Sequence, residues 1–197
     1  VAGADALVHP QDDRERDLSP LAGLSSLQEL RLMGTFDAKD LSPLAQLPAL
    51  RRLGLWGFSM VSDVTPLGKL KELTHLSLEG FPRVRDLTPL IQLQKLTSLN
   101  LGRCDALSDL KFLAEMPDLR ELELSSADAI ADLRAIAGAK GLRRLTLTTL
   151  KNVSDLSPLA QLSSLEVLRL FQCQQVAVLG PLAELKRLET LFIGQCN

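Results

Sequence analysis

Along this chain the apolar positions fall into two interlocked patterns, and both repeat with a period of 23 residues. The first is Leu-x-x-Leu-x-Leu, at Leu27, Leu30 and Leu32, then at Leu50, Leu53 and Leu55, and onward in the same spacing to Leu188, Leu191 and Ile193. The second is Asp-Leu-Ser-Pro-Leu, at Asp17 to Leu21. It returns with substitutions at Asp40, Asp63, Asp86, Asp109, Asp132 and Asp155, and degenerately at Val178. Eight copies succeed one another without an insertion. Leu-x-Leu alternation marks a strand with one face buried, because successive side chains of a strand point to opposite sides. After each strand Ala38, Val61, Val84, Leu107, Ile130, Val153 and Val176 fall where they point inward. The pairs Ser19-Pro20, Ser42-Pro43, Thr65-Pro66, Thr88-Pro89 and Ser157-Pro158 read as a helix N-cap followed by Pro at the first helical position. A short helical turn is therefore expected in each copy, burying Leu44, Leu47 and their equivalents on one face.

Each copy is one coil of a parallel stack, and a magnitude explains why the copies need each other. A coil contributes about eight inward apolar side chains, worth roughly 1.5–3 kcal/mol each when fully buried. Ordering its 23 residues costs about 1–2 kcal/mol apiece in backbone entropy. Alone, a coil loses that contest, since both flanks stay wet. Stacking covers the flanks and adds a hydrogen-bonded sheet, so the array is expected to behave as one cooperative unit. The opening residues 1–16 fit the period poorly. Leu7 falls one period before Leu30, yet His9 would then occupy a core Leu position, and Pro10 with the charges from Asp12 to Asp17 marks a boundary. We read residues 1–16 as a cap or linker and 17–197 as the repeat domain. The absence of an initiator Met and an end in mid-pattern at Asn197 suggest a segment of a longer protein.

The column structure Leu-x-x-Leu-x-Leu-x-x-Cys-x-x-Val-x-Asp-Leu-Ser-Pro-Leu resembles the bacterial leucine-rich repeats of the internalin-like class, close also to the phosphatase-regulator type. The resemblance covers Asp17 to Asn197. It implies an α/β solenoid, a right-handed coil with a parallel β-sheet on the concave face and short helical turns on the convex face. Two departures stand out. Phe112 and Ala135 replace Pro, and Lys111 and Arg134 replace the capping residue, so distorted turns are expected in the fifth and sixth copies. The turn column that usually carries Asn holds Thr35, Phe58, Phe81, Cys104, Ala127, Leu150, Cys173 and Cys196, so the turn's backbone groups need another partner. The Leu-, Ala- and Arg-rich composition looks like that of a high-GC bacterium, and repeats of this kind are also similar to the C-terminal sensor arrays of bacterial NACHT-type signalling ATPases.

A net charge of −2 lacks the basic footprint that phosphate-backbone binding requires, so nucleic acid is not an expected partner. No apolar run approaches the roughly 20 residues of a membrane span. Cys104, Cys173 and Cys196 share one column of the repeat and read as structural free thiols, which suits a reducing, cytoplasmic setting. The Asp column reads as acceptors for nearby backbone N–H groups rather than a cation ladder. No catalytic or cofactor motif is present, and the two histidines are His9 and His75.

Function is expected on the concave face, whose outward residues are free of core duty. The candidate partner-binding residues there are Arg31, Met33, Arg52, Trp56, His75, Glu79, Glu121, Glu123, Arg144, Arg169, Phe171 and Phe192. Arg31, Met33, Arg52 and Trp56 form one aromatic and basic cluster and Arg169, Phe171 and Phe192 a second, of the residue types enriched in binding hot spots. Trp56 has a competing reading, in which its ring packs over Gly54 or Met33. Glu79, Glu121 and Glu123 read as an acidic stretch between the clusters. The expected function is protein recognition, as the sensor or autoinhibitory part of a larger intracellular bacterial protein. A secreted or surface adhesion module, or the substrate-binding arm of an enzyme whose catalytic domain lies elsewhere, are the alternatives.

Overall fold

The computed structural model describes residues 6–8, 17–34 and 37–196. Its strands are β1 (Ala6–Val8), β2 (Glu29–Met33), β3 (Arg52–Trp56), β4 (His75–Glu79), β5 (Ser98–Gly102), β6 (Glu121–Ser125), β7 (Arg144–Thr148), β8 (Val167–Phe171) and β9 (Thr190–Gly194). They lie side by side in chain order in one parallel sheet. From β2 onward the register advances by whole repeats: Leu30 stands opposite Leu53, Leu53 opposite Leu76, and so to Leu168 opposite Leu191. The fold is thus the expected leucine-rich-repeat solenoid. β1 departs from this phase, since Ala6 and not Leu7 pairs with Leu30. Position His9 and the rest of the proposed cap or linker lie outside the described residues, as does Thr35.

Each coil returns through a five-residue 3-10 turn, such as Ser42–Gln46 and Thr88–Gln92. Leu44 and Leu47 are fully buried beneath it, as expected. The expected capping by Ser or Thr is not what forms. The cap position belongs to Leu41, because the tight turn closes by the Leu44 N–H donating to the Leu41 carbonyl, which draws Ser42 inside it. The side-chain acceptor is instead Asp40, whose Oδ1 takes the Ser42 N–H at 2.7 Å. Asp17, Asp63, Asp86, Asp109, Asp132 and Asp155 do the same at 2.8 Å. That bond explains why the fifth and sixth copies are not distorted. The donor is a backbone N–H, which Lys111 and Arg134 supply as well as Ser does, and their turns keep five residues.

The side chains of Ser19, Ser42, Thr88, Arg134 and Ser157 first, and then these backbone N–H bonds, hold the carboxyls of Asp17, Asp40, Asp86, Asp132 and Asp155 below their ordinary range; for Asp109 the Lys111 backbone N–H comes first. A carboxylate whose pKa is depressed on folding lends stability above its unfolded pKa, and that stability is lost as pH falls through the folded one. The array is therefore expected to weaken progressively below about pH 4. Asp40→Asn keeps an acceptor for the Ser42 N–H but removes the titrating charge. Urea unfolding followed against pH should show a shallower acid loss for this variant. An unchanged slope would mean that Asp40 does not take part.

The interior is apolar throughout, and among the described residues no polar or charged side chain is buried. At the turn column Phe58, Phe81, Cys104, Ala127, Leu150 and Cys173 make a continuous dry spine, with Phe58 and Phe81 stacked at 5.6 Å and 11°. The residue before each has positive φ: Gly57 and Gly80, then Arg103, Ser126, Thr149 and Gln172 at 49° to 54°. This left-handed step aims its N–H along the stack, where it meets the last carbonyl of the next strand. Gly57 donates to Glu79 at 2.8 Å, Arg103 to Ser125 at 2.9 Å and Gln172 to Gly194 at 2.9 Å. Backbone thus satisfies backbone, and the turn holds its geometry without an Asn.

Candidate binding face

The strands place their outward side chains on the concave face in three rows, one for each odd position of the strand. The parallel register brings equivalent residues of neighbouring coils side by side, about 4.7–4.9 Å apart. At the start of the face Arg31, Met33, Arg52 and Trp56, with His75 beside them, line a concavity of about 370 Å³ that Ser77, Ser98 and Asn100 extend. Its centre is Trp56. The indole lies over Gly54, so that a Cβ on that glycine would stand 2.1 Å from ring carbon Cη2. The ring packs over glycine, as one of the two readings of Trp56 has it, and is partly covered and partly open: glycine makes a floor and the ring a platform. Met33 beside it is 44% exposed.

The charges around this platform are partly spent on each other. Glu29, which was not among the candidate residues, holds Arg31 at 2.5 Å and stands 3.6 Å from the Arg52 Nε. His75 Nδ1 is 2.9 Å from the hydroxyl of Thr74, which itself donates to the Arg51 carbonyl. The hydroxyl oxygen then accepts from Nδ1–H, leaving Nε2 as the ring's free acceptor. Burial pushes the His75 pKa down and Arg52 pushes it further, against the opposing pull of Glu121 and Glu29, so the ring is neutral at pH 7.

Further along, the expected acidic stretch does not act as a unit. Glu121 is ion-paired with Arg144 of the next coil, and Glu123 accepts from Asn100 Nδ2 at 3.2 Å. Glu79 bends over Gly102, where an added Cβ would lie 3.0 Å from its Cγ. The reason is reach: a Glu or Arg spans one coil spacing, so opposite charges on neighbouring strands find each other. At the far end Phe171 and Phe192 meet with ring centroids 6.3 Å apart, and Arg169 stands exposed in the same row as Phe192. Between the two aromatic ends the small or polar residues Ser77, Asn100, Gly102, Ser125, Thr146 and Thr148 share their rows with Glu79 and Glu123.

Among the described residues no group of three or more His, Cys, Asp or Glu gathers as a metal site, and no helix is long and apolar enough to cross a membrane. The Cys104 thiol is pushed up to about 12 by burial and donates to the Gly102 carbonyl at 3.6 Å. It is held as a neutral core group.

No protein-family model matches this sequence, and no curated protein matches it. Solved structures do. A crystal structure of an internalin C2 from Listeria monocytogenes is 28% identical, with a TM-score of 0.72, over 90% of this chain and 74% of that one. An internalin (inlF) from the same organism is 26% identical, with a TM-score of 0.58, over 89% of this chain and 63% of that one. A leucine-rich-repeat protein of Leptospira interrogans shares the fold at 22% identity and a TM-score of 0.69, over 99% of this chain and 53% of that one. The fold also matches a plant peptide hormone receptor solved with its peptide, RGF2, at 15% identity and a TM-score of 0.56, over 88% of this chain and 33% of that one.

Proposed function

We propose that this internalin-like leucine-rich-repeat protein binds a protein partner along its concave face, with Trp56 and Arg52 as its anchors. The observation that carries the reading is the Trp56 platform. A large apolar ring, laid over glycine and rimmed by Arg31, Arg52 and His75, is half-buried on the concave face with part of its surface left open. Such a surface gains most when a partner desolvates it. The polar stretch from Ser77 to Thr148 lies between the two aromatic ends, where the backbone of an extended segment would find hydrogen-bonding partners. The plant receptor of the same fold, solved with a peptide hormone, supports a protein or peptide ligand in general terms. We assign the chain to the cytoplasm, as the sensor or autoinhibitory part of a larger protein, on the strength of its free thiols and its composition.

The test is capture from the native organism by the wild-type chain and by Trp56→Ala/Arg52→Ala, with bound proteins identified by mass spectrometry. A partner held by the wild type should bind the folded variant about tenfold or more weakly, as the loss of hot-spot residues does. An identical catch from both would overturn the assignment of these anchors. Because the Trp56 ring lies over Gly54 on the concave face and is not among the core residues, the variant should keep its fold, which circular dichroism checks.

A further inference from the structure

The turn column places two thiols in successive coils. Cys173 follows β8 and Cys196 follows β9, at the same position of the repeat. Their coils are held in register up to the residues just before them: Phe171 pairs with Gly194, and the Gln172 N–H donates to the Gly194 carbonyl at 2.9 Å. Gln172 and Gln195 both sit at φ 54°, and their side chains are joined at 2.7 Å. The two sulfurs also have equivalent anchors. Cys173 Sγ reaches the carbonyls of Phe171 and Leu147 at 3.6 Å. Cys196 Sγ reaches those of Gly194 at 3.6 Å and Leu170 at 3.9 Å, each one coil further on. Cys196 is among the groups that raise the Cys173 pKa, after the burial that raises it most. Parallel neighbours stand about 4.7–4.9 Å apart, inside the Cα separation of about 4.4–6.8 Å that a disulfide accepts.

We propose that Cys173 and Cys196 form an oxidisable pair, which a small-molecule disulfide converts into an intramolecular disulfide fastening the last described coil to the array. Cys196 is the more accessible and attacks first. Its thiolate forms a mixed disulfide and expels one small-molecule thiolate. Cys173, deprotonated, then attacks the Cys196 sulfur and expels the second. The two cysteines are oxidised together by two electrons, the small disulfide is reduced by two, and the two protons given up by the cysteines pass to the expelled thiolates. Cys173 is fully buried, and that burial raises its pKa, so the second step is the slow one and waits on opening of the terminal coil. Cys104 has no such neighbour. Phe81 and Ala127 flank it in the column, and three coils separate it from Cys173.

The experiment incubates the chain with oxidised and reduced glutathione until its mass is constant, quenches by alkylation, and reads intact mass and peptide map. The wild type and Cys104→Ser should lose the mass of two hydrogens and yield one cross-linked peptide joining Cys173 and Cys196. Cys196→Ser should stop at the glutathione adduct or stay reduced. Cys173→Ala keeps a small apolar group in the spine and should stop at the adduct on Cys196. Thermal melting of the oxidised wild type should rise by about 5 °C or more over the same sample with reductant. An unchanged mass, an adduct that never resolves, a cross-link to Cys104 or a second chain, or a lower melting point would each overturn the proposal.

Discussion

Replacing Phe81 by Ala is expected to remove about 3–5 kcal/mol of unfolding free energy, the largest single loss on this chain. Phe81 is fully buried, stacks on Phe58 at 5.6 Å, and lies over Cys104 on the other side of the spine. Truncation loses the transfer energy of the ring and leaves a void that the neighbouring coils fill poorly, because the register of the sheet ties them in place. Urea unfolding of the variant should show the loss as a shift in midpoint. Combining it with Phe58→Ala should reveal a coupling of about 0.5–1.5 kcal/mol from the stacked rings. Phe81→Asn would restore the residue most repeats of this kind carry, yet it should be no less damaging. The amide would enter a dry column whose neighbouring backbone groups are already bonded, as Gly80 N–H is to the Gly102 carbonyl at 2.9 Å. An Asn variant as stable as the wild type would mean that the aromatic spine contributes nothing an Asn could not.

Gly138→Val should be the second severe change, costing about 1–3 kcal/mol by overpacking. Gly138 ends the turn Arg134–Gly138. A Cβ there would stand 2.6 Å from the Ala114 Cβ and 3.1 Å from its Cα. No side-chain rotation relieves that contact, since the Ala114 Cα is backbone and its Cβ is fixed to it. The convex sides of two coils would have to separate while their strands stay paired. Gly180→Ala is the matched control, because an added Cβ there meets nothing within 4 Å. Thermal denaturation should lower the midpoint of Gly138→Val by several degrees and leave Gly180→Ala near the wild type. Equal midpoints would show that the convex turns yield freely.

The coils, the strand register and the buried columns were legible because they rest on periodicity. A Leu at every second strand position decides which face is inside, and a constant repeat leaves no freedom to slip. The capping of the turns was misread for a physical reason. Ser-Pro suits the cap and the first helical position alike, and only the bond from Leu44 to Leu41 tells them apart. The departures at Lys111 and Arg134 looked harmful because the side chain was credited with work that the backbone N–H performs. On the concave face the address of every candidate was readable, but its partner was not. Arg31 could turn to Glu29 in its own strand, and Arg144 turned back one coil to Glu121, because long side chains choose among neighbours by rotamer. Gly54 was the readable clue to the platform: an outward glycine two residues from a tryptophan signals that something lies close above the backbone.

The constant offset between paired strands from β2 to β9 also sets how this molecule meets a pulling force. Each coil packs 23 residues of thread into one strand spacing of about 4.8 Å, whereas the same thread drawn taut reaches roughly 80 Å. Tension applied at the ends peels coils in equal increments, each giving out the same length. The array is therefore a reel of chain whose graduations are its own repeats.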